Sequence, residues 1–273
     1  MFTLAHHGPD TFVGTGPRYP WGGLYGGQIV AQALRAASHS VDAAFAAHSM
    51  RAYFIRSGDH TEPIRYEVDR IRNGRSFTTR RVVARQANGA ILNAECSFQR
   101  AEESASLHPI APPRTPDAEH YENTSFSSHF DRRFVAPADL GGTPRDGIGR
   151  VVAWMRVVDE IASDPNEGRG SDGRSEVLDQ CWLAYLSDDL PSDAVREARR
   201  SLGDVDGVDL QGISLDHTIW FHRRLRADRW HLFDVVCHHF VGARGLALGH
   251  VFAEDGSHVA TFAQEVLMRE PRL

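Results

Sequence analysis

The apolar positions fall into two successions of the same kind. GGLYGGQIVAQALRAASHSV opens with glycines at 22, 23, 26 and 27. It then places Ile29, Val30, Ala33, Leu34 and Ala37 at helical spacing, with Gln28, Gln32 and Arg35 off that stripe. Four strand-like runs follow: HSMRAYFIR, PIRYEVDRIR, SFTTRRVVARQ and ILNAECSFQR. Asn88-Gly89, between the last two, is a strong hairpin signal. Residues 101–131 break the pattern with Pro109, Pro112, Pro113 and Pro116 among Ser, Glu and His. The second succession opens with RVVAWMRVVDEI, a strand or short helix, and continues with the helix SEVLDQCWLAYLSDD. A further linker runs to Gly212, and ISLDHTIWFHRRL, WHLFDVVCHHFV, ALGHVFAEDG and HVATFAQEVLMRE then read as strands.

The halves echo each other. Tyr53-Phe54-Ile55-Arg56 and Trp220-Phe221-His222-Arg223 share the order aromatic, Phe, any residue, Arg, and Asn88-Gly89 and Asp255-Gly256 stand at the same offset of 167 residues. A helix followed by hairpin-linked strands, twice, predicts an α+β protein with antiparallel sheet. Units are expected at 1–103 and 131–273, joined by a linker at 104–130.

Composition narrows the chemistry. The net charge of −6 gives no basic field to hold a nucleic acid. All 30 basic residues are arginine, which excludes a Schiff-base lysine, a pyridoxal phosphate anchor and a P-loop lysine. Cys96, Cys181 and Cys237 are isolated in apolar stretches and match no metal or redox spacing, so buried reduced thiols and a cytoplasmic location are expected. The N-terminal residues lack a signal-peptide pattern, and no run of 18 apolar residues predicts a membrane span.

Three polar residues interrupt otherwise apolar faces. Asp188 follows Tyr185 on the stripe of the second helix, at the C-terminal end where the helix dipole disfavours an anion; the alternative is a solvated start to the next loop. Gln264 shares a strand face with Phe262, Val266 and Met268 and needs hydrogen-bond partners if buried. Ser214 shares a face with Asp216 and Thr218 by strict alternation, with Leu215, His217 and Ile219 opposite. That parity rules out a Ser-Asp-His triad within SLDH and leaves structural hydrogen bonding for Asp216 and His217.

Other patterns carry less. The GxGxxG run at 168–173 follows an acidic loop and lacks a parallel βαβ unit, so it is not a dinucleotide fingerprint. The fifteen histidines show no HExxH or carboxylate cluster, so no metal is expected. Arg70, Arg72, Arg75, Arg80, Arg81 and Arg85 form either a solvated strand face or a phosphate clasp.

Taken together, Tyr25-Gly26-Gly27-Gln28, Tyr53 to Asp59, Gly74-Arg75-Ser76-Phe77, Ala94 to Gln99, Tyr185-Leu186-Ser187-Asp188, Leu215-Asp216-His217, Trp220 to Arg223, Ala243-Arg244-Gly245 and Gln264-Glu265 resemble the type II acyl-CoA thioesterases (the TesB-like family). The resemblance covers nearly the whole chain outside the linkers. It implies a double hotdog fold, two long helices each wrapped by a curved antiparallel sheet, and hydrolysis of fatty acyl-CoA to free acid and CoA without metal, cofactor or covalent intermediate. It implies that Asp188, Ser214 and Gln264 hold the attacking water, with Ser214 where members often carry Thr. Gly26, Gly27, Arg75 and Arg244 are the positions expected to hold the CoA thioester, and a homo-oligomer is expected. The resemblance leaves the first unit without a matching Asp, as scaffold and pocket wall. A hotdog hydratase or dehydratase, or an acyl-CoA binder without catalysis, are the alternative expectations.

Overall fold

The computed structural model describes residues 1–141, 147–161, 175–203 and 210–269. The first half comprises β1 (Ala5–His6), β2 (Thr11–Gly14), α1 (Gly26–Ser38), β3 (Phe45–Phe54), β4 (Ile64–Asn73), β5 (Phe77–Gln86) and β6 (Gly89–Arg100). The second comprises β7 (Phe130–Phe134), β8 (Gly149–Val157), α2 (Glu176–Ser187), α3 (Pro191–Ser201), β9 (Gln211–Ser214), β10 (Asp216–Phe221), β11 (His231–Val241), β12 (Arg244–Ala253) and β13 (His258–Arg269).

The strands form one antiparallel sheet in the order β1-β2-β4-β5-β6-β3-β10-β13-β12-β11-β8-β7, with β9 also paired to β13. The halves meet where β3 pairs with β10, Tyr53 opposite Asp216 and Ser49 opposite Trp220. Outward from that seam the order β3-β6-β5-β4-β2 on one side is repeated as β10-β13-β12-β11-β8 on the other. The two turn glycines of the sequence repeat, Gly89 and Gly256, have φ of 109° and 82°, the region only glycine enters without strain.

Two sequence expectations are corrected, and one alternative is resolved. Gln28, Gln32 and Arg35, set off the apolar stripe, are buried like the rest of α1. The helix is covered all round, by strands and by α2, so it has no wet face. Gln32 is satisfied there by the Met1 and Thr15 carbonyls at 2.9 and 2.8 Å and by the Tyr66 hydroxyl at 2.8 Å. Part of the expected second linker is helix α3, which Pro191 starts at its first turn and whose Ala194, Val195 and Ala198 are buried. The second half therefore carries two helices, not one: α3 packs on β8, β11 and β12, and α2 packs on α1 and the seam strands. The alternatives left for RVVAWMRVVDEI resolve as strand β8.

The arginine-rich face of the first half is a solvated strand face. Arg70, Arg81 and Arg85 pair with Asp10, Asp69 and Glu67, and Arg80 is buried, donating to Ser40, Asn73 and the Arg72 and Thr79 carbonyls. The segment between β6 and β7 holds one short 3-10 turn, Ala118–His120. It lies against the second half: Ile110 and Tyr121 pack on a small cluster of Val135, Val152, Leu232 and Phe252. The larger core runs through both halves. Cys96, Cys181 and Cys237 are buried free thiols within it.

Candidate active site

Helices α1 and α2 run antiparallel, so the N-terminus of α1 meets the C-terminus of α2. Glycine is required at this contact. A Cβ on Gly27 would lie 2.4 Å from the Tyr185 carbonyl oxygen, and one on Gly26 would lie 2.6 Å from Asp188 Oδ2 and 3.0 Å from the Phe54 ring. The close approach lets the Gly27 N–H donate to the Asp188 carboxylate. Asp188 is the C-cap of α2, which by itself disfavours an anion; the positive end of α1 supplies the compensation.

Asp188 is 5% exposed. Burial pushes its carboxyl up to about 7, against the opposing hydrogen bonds from Gln264, Ser214 and Gly27. The side chain of its neighbour Asp189 is largely covered, which pushes its carboxyl up to about 6; Arg132 holds it by two contacts of 2.8 and 2.9 Å.

The three residues singled out in the sequence come together. Ser214 Oγ donates to Asp188 Oδ1 at 3.2 Å, and Gln264 Nε2 donates to Ser214 Oγ at 2.7 Å. Phe262, Gln264, Val266 and Met268 are all buried on one face of β13, as alternation requires.

Behind the trio stand two residues to which the sequence assigned no catalytic part. His217 Nδ1 is 2.6 Å from Gln264 Oε1, and His217 Nε2 is 2.9 Å from Ser187 Oγ. Burial pushes the imidazole down to about 4, so it is neutral near pH 7. A neutral ring facing a carbonyl oxygen through Nδ1 must carry its proton there and accept at Nε2. The donors therefore align as His217 to Gln264, Gln264 to Ser214, and Ser214 to Asp188, with the Ser187 hydroxyl behind the imidazole, shared between His217 Nε2 and the Ala184 carbonyl at 3.1 Å. Each donation polarises the next, and all of them end on one carboxylate.

This arrangement corrects the strict alternation expected through SLDH. The strand is broken at Leu215: Ser214 pairs with Val266 in β9, whereas β10 pairs Thr218 with Ala263. Leu215 donates its N–H to the Glu265 carbonyl at 2.9 Å. Asp216 does not share a face with Ser214; its Oδ1 accepts the Glu265 N–H at 2.7 Å, satisfying a donor that the irregularity takes out of the ladder. One residue of slip brings Ser214 and His217 to the same side, where both reach Gln264. The expected structural role of Asp216 and His217 stands, and it serves the site.

The remaining expected residues divide. Gly26 and Gly27 lie at Asp188. Arg75 is exposed on the β4–β5 turn, its carbonyl accepting from Arg100 at 3.3 Å, and Arg244 pairs with Glu265 at 2.8 Å on the face opposite Gln264. The structure does not bring these arginines to Asp188. The GxGxxG run lies outside the described residues, and among those residues no group of three or more His, Cys, Asp or Glu is placed to hold a metal ion.

Two family models match this chain. The model for the acyl-CoA thioesterase N-terminal domain matches residues 15–99, and that for the C-terminal domain matches residues 105–268. Acyl-coenzyme A thioesterase 8 of Rattus norvegicus is 33% identical over 268 residues, 92% of this chain and 82% of that protein. Acyl-CoA thioesterase 2 of Haemophilus influenzae is 29% identical over 267 residues, 90% of this chain and 87% of that protein. Among solved structures, acyl-CoA thioesterase II TesB2 from Mycobacterium marinum superposes with a TM-score of 0.81 at 32% identity, over 99% of this chain and 96% of that one. A protein of unknown function with a hot dog fold from Alicyclobacillus acidocaldarius, 18% identical, shares the fold at a TM-score of 0.77 over 99% of this chain and 97% of that one.

Proposed function

This chain belongs to the acyl-CoA thioesterase family, and on that premise we propose that it hydrolyses fatty acyl-CoA with a water oriented by Asp188, Ser214 and Gln264. Asp188 takes a proton from the water as the water oxygen bonds to the carbonyl carbon, a step worth roughly 10²–10⁴-fold. The tetrahedral intermediate then collapses with cleavage of the C–S bond. The proton held by Asp188 passes to the CoA sulfur, so the products are the free acid and CoA and the carboxylate is regenerated. Ser214 and Gln264 fix the water's position and reduce the entropy of attack.

The single observation that carries this reading is the directed chain of donors ending on a buried carboxylate whose pKa is close to neutrality. A base poised near the working pH is both ionised and strong enough to accept a proton. His217 is neutral and lies behind Gln264, so it does not form the His-acid pair facing one cleft that a hydratase uses.

The finer reading of the architecture is a double hotdog whose units meet at β3 and β10, with the first unit contributing Gly26, Gly27 and the Phe54 wall to a site whose base lies in the second. A cytoplasmic location fits three buried thiols without disulfide partners. A homo-oligomer fits the large apolar side chains left exposed, Tyr53 and Ile55 among them. Release of free thiol from an acyl-CoA length series, followed with a thiol reagent, tests the activity. Turnover with thiol release is expected; consumption of an enoyl substrate without thiol release would favour hydration instead.

A further inference from the structure

The internal repeat generates a second position related to the site, at the opposite end of the helix pair. Tyr53 pairs with Asn93 across β3 and β6, as Trp220 pairs with Thr261 across β10 and β13. Both edges also slip by one residue at the corresponding place, His48 in the first half and Leu215 in the second. Carried through this register, Ser214 corresponds to Ala47, His217 to Met50 and Gln264 to Cys96, all three of which are buried. The C-cap of α2 is Asp188 and that of α1 is His39. Ser214, His217 and Gln264 are thus replaced by side chains that cannot take their parts, Ser187 by Ser38, whose hydroxyl donates to the Leu34 carbonyl at 2.8 Å, and the base by an imidazole.

This end of the helix pair holds open space. A cavity of about 820 Å³ opens there, between the C-terminal end of α1 and the N-terminal end of α2. Its size falls in the range of built ligand sites. Val41, Phe45 and Phe221 give it apolar wall, and Arg100, Arg223 and Arg224 give it cations. Asp42, Glu102 and Glu176 also line it. Asp42 accepts the Ala44 N–H at 2.9 Å, and Glu176 is paired with Arg224 at 2.8 Å. Arg100 lies over the Phe45 ring at 4.7 Å, and Arg223 acts on Asp255 through space. Guanidinium groups beside an apolar wall suit a phosphate-bearing head with a hydrocarbon tail.

We propose that this cavity is a second acyl-CoA site that binds the thioester and does not cleave it. The proposal rests on the thioesterase reading of the Asp188 site, because the ligand class is inferred from the internal correspondence between the two positions. It makes each chain bivalent for its substrate, with one hydrolytic and one holding position.

The test is calorimetric titration of the full-length protein with a non-cleavable S-alkyl-CoA thioether. Two molecules bound per chain are expected. The Arg100→Glu/Arg223→Glu variant should bind one, with kcat/KM for thioester hydrolysis unchanged. Ala44→Trp, which adds bulk at an exposed position of the lining, should give the same result without altering charge. One molecule per chain in the unaltered protein, or two in both variants, would overturn the second site. Loss of thiol release, by contrast, overturns the thioesterase reading, so the two failures are distinguishable.

Discussion

His217 Nδ1 lies 2.6 Å from Gln264 Oε1, and both side chains are fully buried. This contact decides which way the Gln264 amide faces. With its oxygen held by the imidazole, Gln264 has only its N–H groups to turn toward Ser214 and Asp188. His217→Leu should leave Gln264 Oε1 without a donor, at a cost of about 1–3 kcal/mol in stability, and reduce kcat by roughly tenfold or more with little change in KM. His217→Asn, which keeps a donor near Nδ1, should recover part of kcat. Steady-state kinetics and thermal melts of the two variants check this; equal kcat loss in both would leave His217 a packing role only.

Asp188→Asn keeps the shape of the site and removes the base. Thiol release should fall by roughly 10²–10⁴-fold, and the melting temperature near pH 7 should not fall. Full activity in this variant would take Asp188 out of the mechanism.

The pH dependence follows from the same carboxyl. Burial places it at about 7. The ionised form is the base, so kcat/KM should fall on the acid side with an apparent pKa close to 7. Stability runs the other way. The folded state holds this proton more tightly than the unfolded chain, where an aspartate titrates at about 3.9. The stabilisation is fully present below about pH 4 and is lost as pH rises through 7. Asp188→Asn, which cannot ionise, should therefore gain on the unaltered protein in denaturant melts between pH 4 and 8.

Gly26 and Gly27 make separable predictions. In Gly27→Ala the added methyl meets the Tyr185 carbonyl oxygen, which cannot move without shifting α2. A stability loss of about 1–3 kcal/mol and loss of activity are expected together. In Gly26→Ala the nearest atom is Asp188 Oδ2, the end of a side chain. Activity should fall with a smaller shift in melting temperature.

Asp216→Ala removes the acceptor for the Glu265 N–H beside the strand break. The break should lose its fixed register, lowering kcat through Ser214 while KM stays nearly constant. Amide exchange at Glu265 would report the freed donor directly.

Patterns between near neighbours along the chain were enough for what repeats locally. Helix α1, the strands from β3 to β6 and from β10 to β13, and the paired turns at Gly89 and Gly256 follow from apolar spacing and turn chemistry, which act between near neighbours. Gln264 was legible for the same reason, as an amide on an apolar strand face. Helix α3 was not, because Ala194, Val195 and Ala198 make too narrow a stripe to stand out beside a run of arginines. How the trio is held depends on contacts between distant segments. The break at Leu215 is fixed by hydrogen bonds to Glu265, 50 residues downstream of it, and that one-residue slip turns His217 toward Gln264. The compensation of Asp188 by the N-terminus of α1 likewise depends on two helices far apart in the chain meeting end to end. Hydrogen bonds and electrostatic fields act across space, and no pattern of neighbours along the chain encodes where they will close.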